Sequence, residues 1–129
     1  MNLESPTVNV NKSADQLFDF LVEPKNFETI MPKNTDKFEA LDQAFIFALK
    51  GMPSIKLKLQ EQDKPTKIVY GSVSDKFPFT LTGIITPIDD TNSSICMQFE
   101  GNFNPMMAMM IKTPLQKFIN TLTENLEGL

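Results

Sequence analysis

The stretch NPMMAMMIKTPLQKFINTLTENLEGL, residues 104–129, sets the terms for everything upstream of it. Asn104 is a preferred helix N-cap, and Pro105 stands at the first helical position, where a missing N–H is tolerated. Met107, Ile111, Leu115, Phe118, Leu122, Leu126 and Leu129 then recur at steps of three and four, opposite Lys112, Gln116, Asn120 and Glu124. That spacing predicts one amphipathic helix of about six turns. Pro114 falls inside it and is expected to bend it near Met110, whose carbonyl the ring crowds.

A long helix with one apolar face needs a surface to bury it, and the preceding residues describe a sheet. Ile95, Met97, Phe99, Gly101 and Phe103 alternate with Cys96, Gln98, Glu100 and Asn102. Phe77, Phe79, Leu81, Gly83 and Ile85 alternate with Pro78, Thr80 and Thr82, and Ile55, Leu57 and Leu59 alternate with Lys56, Lys58 and Gln60. Period two with one apolar face is the pattern of half-buried antiparallel strands. Further strands are expected over Phe38 to Leu41, Ala44 to Lys50 and Lys67 to Ser72. Turn chemistry separates them at Asp42-Gln43, Gly51-Met52-Pro53, Asp63-Lys64-Pro65, Asp75-Lys76 and Asp89 to Asn92, which implies a meander.

Toward the N-terminus, Thr7 to Asn11 reads as a short strand with Val8 and Val10 inward. Ser13 and Gln16 have the spacing of a capping box, and Ala14, Leu17, Phe18 and Leu21 follow at helical spacing. Pro24 ends that helix and opens a second short one through Met31, which Pro32 stops. No linker or repeat divides the chain, so residues 1–129 are expected to form one domain.

Ser13-Ala14-Asp15-Gln16-Leu17-Phe18-Asp19-Phe20-Leu21, followed by Glu23-Pro24-Lys25-Asn26-Phe27, resembles the START-like (SRPBCC) superfamily. That group includes lipid-transfer domains, plant pathogenesis-related proteins and polyketide cyclases. Asn104-Pro105-Met106-Met107 with Pro114-Leu115 is similar to the start of its C-terminal helix. The resemblance implies an α+β helix-grip fold. In it, about six to seven antiparallel strands curve around a long C-terminal helix, with two short helices after the first strand. It also implies a cavity between sheet and helix, and binding or transport of a hydrophobic small molecule: a lipid, isoprenoid or polyketide-like compound. Residues in phase to line such a cavity are Phe45, Phe47, Leu57, Leu59, Tyr70 and Phe79, with Leu81, Met97 and Phe99 on the later strands and Ile111 and Phe118 on the helix. A filled core satisfies the same pattern, because large aromatics fill space. Two other readings stay open: a protein-interaction module without ligand, with Ala44, Ile46 and Ala48 as an outer patch, and a cyclase or dehydratase.

Meander topology brings alternate loops to one end of the sheet. Gly51 to Pro53, the Ser74 to Lys76 loop and the Asn104-Pro105 junction should therefore gather, with Met52, Phe77, Met106, Met107, Met109 and Met110 around them. Methionine suits irregular apolar shapes. Met106 to Met110 turns through most of a helix circumference, so some of these side chains must be exposed or at a cavity mouth. A ligand portal, loose core filling and a docking patch are the three readings.

Several chemistries are excluded by residue type. All 12 basic residues are lysines, histidine is absent, and the net charge is −4. Scattered lysines outnumbered by acids make nucleic acid an unfavourable partner. No histidine serves as base for a serine or cysteine nucleophile, and the single cysteine, Cys96, leaves no common zinc set. No catalytic residue, metal or cofactor is expected. The longest apolar run, Pro105 to Ile111, is too short to cross a bilayer, and no signal-peptide pattern opens the sequence, so a cytoplasmic location without membrane insertion is the default expectation.

Overall fold

The computed structural model describes residues 1–52, 54–73 and 78–129. Their strands are β1 (Asn2–Glu4), β2 (Val8–Val10), β3 (Thr35–Leu41), β4 (Ala44–Leu49), β5 (Ile55–Asp63), β6 (Lys67–Ser72), β7 (Phe79–Pro87) and β8 (Ser93–Gly101). They form one antiparallel sheet in the order β1-β8-β7-β6-β5-β4-β3, and β2 pairs with β8 beyond β1. From β3 to β8 every strand pairs with its sequence neighbour, which is the meander that the turn residues predicted. The three-residue β1 went unread in the sequence because so short a run shows no periodicity.

Helix α1 (Ala14–Leu21) begins with the capping box that Ser13 and Gln16 spell out. The Gln16 N–H donates to Ser13 Oγ at 3.1 Å, and the Ser13 N–H donates to Gln16 Oε1 at 3.1 Å. Its buried residues are Ala14, Leu17, Phe18 and Leu21. A single 3-10 turn over Pro24–Asn26 leads into α2 (Phe27–Ile30), which buries Phe27 and Ile30. Helix α3 (Pro105–Glu127) is capped by Asn104, whose Oδ1 accepts from the Met107 N–H at 2.8 Å. Along it Ile111, Leu115, Phe118, Ile119, Leu122 and Leu126 are buried against the sheet and the short helices. Polar side chains fix its position: Asn125 donates to the Ile30 carbonyl at 2.8 Å, and Gln116 donates to the Glu4 carbonyl at 2.8 Å. The result is a sheet gripping one long helix.

Two expectations need correction. Leu59 is half-buried at the core margin, because the β5–β6 register slips between Leu59 and Glu61 and ends the strict alternation there. The outer face of β4 is not an exposed apolar patch, since Ala44 and Ala48 are buried and Ile46 is half-buried. Their register partners on that face are long: Lys58 beside Ala44, Lys56 and Glu39 beside Ile46, and Lys37 beside Ala48. The aliphatic stems of such residues cover small neighbours while their charges stay in water.

Candidate functional site

The interior divides into two unlike ends. At the end held by α1 and α2, rings interlock. Phe27 stacks on Phe45 at 4.6 Å between centroids, and Tyr70 meets both edge-on, at 5.1 Å and 5.3 Å. The Tyr70 hydroxyl donates to the Leu21 carbonyl at 2.8 Å, at the last residue of α1. Burial first, and the nearby Glu23 carboxylate second, push this phenol well above its ordinary range. The free space here is about 10 Å³, room for no more than a single water molecule.

At the other end lies a cavity of about 280 Å³ with a mostly apolar lining. Its floor is Ile55, Phe79 and Phe99 on β5, β7 and β8, and one wall is Met107, Ile111 and Leu115 on α3. Phe79 and Phe99 stand 4.7 Å apart, and Phe103 continues the row 6.2 Å beyond Phe99. Gly101 makes that row possible: a Cβ there would lie 2.7 Å from the Phe103 ring, 2.9 Å from Phe79 Cβ and 3.0 Å from the Pro78 carbonyl. The mouth is formed by Met52 and Gly51 in the β4–β5 turn and by Met110 and Pro114 across from them. Gly51 adopts φ +83°, a left-handed conformation that residues other than glycine rarely take. Lys50 is the one charged residue in this lining among the described residues.

Among the residues expected to line a cavity, Phe79, Phe99 and Ile111 are brought together here. Phe45, Phe47, Leu57, Tyr70, Leu81 and Met97 are buried away from it in the filled core, and Leu59 sits at the core edge. Tyr70 has its hydroxyl committed to Leu21 rather than aimed at a ligand. Phe118 stacks on Phe47 at 4.9 Å and lies on the far side of Pro114. Among the mouth residues, Met52, Met107 and Met110 line the cavity, while Met106 is 74% exposed and faces away from the lining. Phe77, Pro53 and the Ser74 to Lys76 loop lie outside the described residues. Phe103, Leu115 and Ile55 went unassigned although each carried the right phase. Lys50 gave no signal as a lining residue, because a charged residue at a strand end reads as solvated, and Pro114 signalled only a bend in the helix.

Among the described residues, no three His, Cys, Asp or Glu side chains gather in a metal-binding group. No buried side-chain nitrogen or oxygen among them lacks a partner. No described helix is long and apolar enough to cross a membrane.

No family model matches the chain, and no curated protein matches it in sequence. Solved structures do match in shape. A START superfamily protein from Mycobacterium smegmatis superposes with a TM-score of 0.71 at 14% identity, covering 98% of this chain and 94% of that one. Norcoclaurine synthase from Thalictrum flavum, solved with dopamine and hydroxybenzaldehyde, gives 0.68 at 14% identity over 96% of this chain and 84% of its own. The di-domain ARO/CYC protein BexL gives 0.67 at 14% identity over 98% of this chain and 46% of its own. At such identities the likeness shows architecture alone: the chain shares the helix-grip fold, a sheet wrapped on one long helix, with these structures.

Proposed function

We propose that this protein binds a small hydrophobic molecule in the cavity between Phe79, Phe99 and the first turns of α3. The observation that carries the reading is asymmetry. The same sheet and helix leave about 10 Å³ free at one end and about 280 Å³ at the other, where the lining is apolar. Binding sites for small molecules run from about 300 Å³ upward, so this volume suits a compact ligand or a single short chain. A lipid of that kind, an isoprenoid or a polyketide-like compound meets the requirement. Norcoclaurine synthase, of the same fold, was solved with small aromatic molecules. Binding or carriage is favoured over catalysis because Lys50 is the lining's single ionisable group among the described residues and its side chain is exposed. Entry is assigned to the mouth between Met52 and Met110, with Met107 on the wall just inside it.

The test is uptake of the neutral apolar fluorophore 1-aminoanthracene, with near-silent protein background because the chain has no tryptophan and one tyrosine. One equivalent should bind, and the Met107→Asp/Met110→Asp variant should lose that uptake while keeping the parent circular dichroism. Uptake that survives both aspartates would remove the cavity from consideration.

A further inference from the structure

Beside the apolar cavity, α3 borders a second compartment whose lining is mixed, with Pro32, Leu49 and Phe118 among polar and charged residues. A surface groove of about 460 Å³ runs along Thr113, Lys117 and Thr121, with Asn34 and Lys50 facing them. Thr113, Lys117 and Thr121 follow at intervals of four and so share one helix face. Met107, Ile111 and Leu115 form the adjacent face, which lines the cavity. Lys50 and Pro114 border both spaces. Lys50 is set at this boundary by its backbone N–H, which donates to the Asn34 carbonyl at 2.9 Å.

The charge pattern of the groove has no internal explanation. Among the described residues it contains two lysines and no carboxylate. The ion pairs found among those residues, Lys64 with Asp19 and Lys67 with Glu61, use neither Lys50 nor Lys117. The chain as a whole carries a net charge of −4, so an anion is repelled in general and attracted locally here. Asn34, Thr113 and Thr121 add neutral hydrogen-bond donors around the two ammonium groups.

We infer that the ligand is an amphiphile with an acidic oxygen head, a carboxylate or phosphate. The head lies between Lys50 and Lys117 in the groove, and the apolar body passes the Lys50–Pro114 boundary into the cavity. This rests on the binding reading above and adds the head group and its seat. Lysine fits the task because its stem packs along apolar surface while the ammonium stays at the polar side.

The experiment is displacement of bound 1-aminoanthracene by decanoate and by decanol, which share a chain and differ in head charge. Decanoate should compete about five- to tenfold better, the range expected for two exposed charge-assisted contacts. The ratio should fall to about one in Lys50→Gln/Lys117→Gln and shrink as salt screens the pair. Lys112→Gln, an exposed lysine outside both linings, should leave it unchanged. Equal displacement by the two heads in the parent protein would overturn the head-group inference and leave the cavity reading standing. A preference that survives Lys50→Gln/Lys117→Gln would overturn the assigned seat. Failure of the parent protein to take up 1-aminoanthracene at all would overturn both.

Discussion

The two ends of the interior are built from the same strands and the same helix, yet they solve the packing problem differently. At the α1–α2 end, Phe27 and Leu21 descend onto the sheet and lock against Phe45 and Tyr70, and a polar anchor from Tyr70 to Leu21 closes the layer. At the Met107 end no second helix descends among the described residues. The side chains available are methionines and a row of phenylalanines along β7 and β8, which leave a void between them. The lesson is that a helix-grip sheet is filled where the short helices plug it and stays open where only α3 covers it. Stability should therefore concentrate at one end and ligand uptake at the other.

The largest expected effect is at the filled end. Phe45→Ala removes the ring shared by Phe27, Phe38, Phe47 and Tyr70. Urea unfolding should show a loss of about 3–5 kcal/mol. A loss below about 1 kcal/mol would mean that the aromatic layer is not the stabilising centre.

Tyr70→Phe comes next. It removes the buried donor to the Leu21 carbonyl and should cost about 1–3 kcal/mol with little change in packing. The same residue predicts an alkaline limit. Its phenol is raised in the folded state above the ordinary value of 10.0, so its contribution to stability is fully present below about pH 10. That contribution is lost as pH rises further toward the folded value, because the unfolded chain ionises first. With no other tyrosine in the sequence, tyrosinate absorbance should appear together with unfolding. Ionisation near pH 10 in a still-folded protein would contradict the buried hydrogen bond.

A smaller effect of opposite sign is expected at Gly83, in the same filled end. A Cβ there meets Ile95, Met97 and Leu21 at 3.6 to 3.8 Å, ordinary contact distances, beside the residual 10 Å³ void. Gly83→Ala should therefore stabilise by about 0.4–1 kcal/mol, read as a raised urea midpoint. Destabilisation would show that the layer has no room left.

The smallest effect is at the open end. Met110 is 69% exposed, so Met110→Ala should shift stability by no more than about 0.5 kcal/mol. It should still weaken 1-aminoanthracene uptake measurably by trimming the cavity mouth. A stability loss as large as that of Phe45→Ala would erase the contrast between the two ends.

The sequence by itself determined the elements and their order, the three-residue β1 excepted. Period two over β5, β7 and β8, period 3.6 over α1 and α3, the Ser13–Gln16 box and the Asn104-Pro105 start are local properties, and local geometry enforces them. It also identified which face of β5, β7 and β8 turns inward. What only the tertiary structure decided is which inward residues meet a neighbour and which meet a void. Phe45 and Phe99 have the same phase and the same chemistry, but Phe27 covers one while the other lines the cavity. Leu59 lost its place to a slipped register, and Lys50 gained one because a strand end and a helix face converge beside it. Periodicity records the direction in which a side chain leaves the backbone. Packing depends on what comes from elsewhere in the chain to meet it, and that is set by the crossing of elements far apart in sequence.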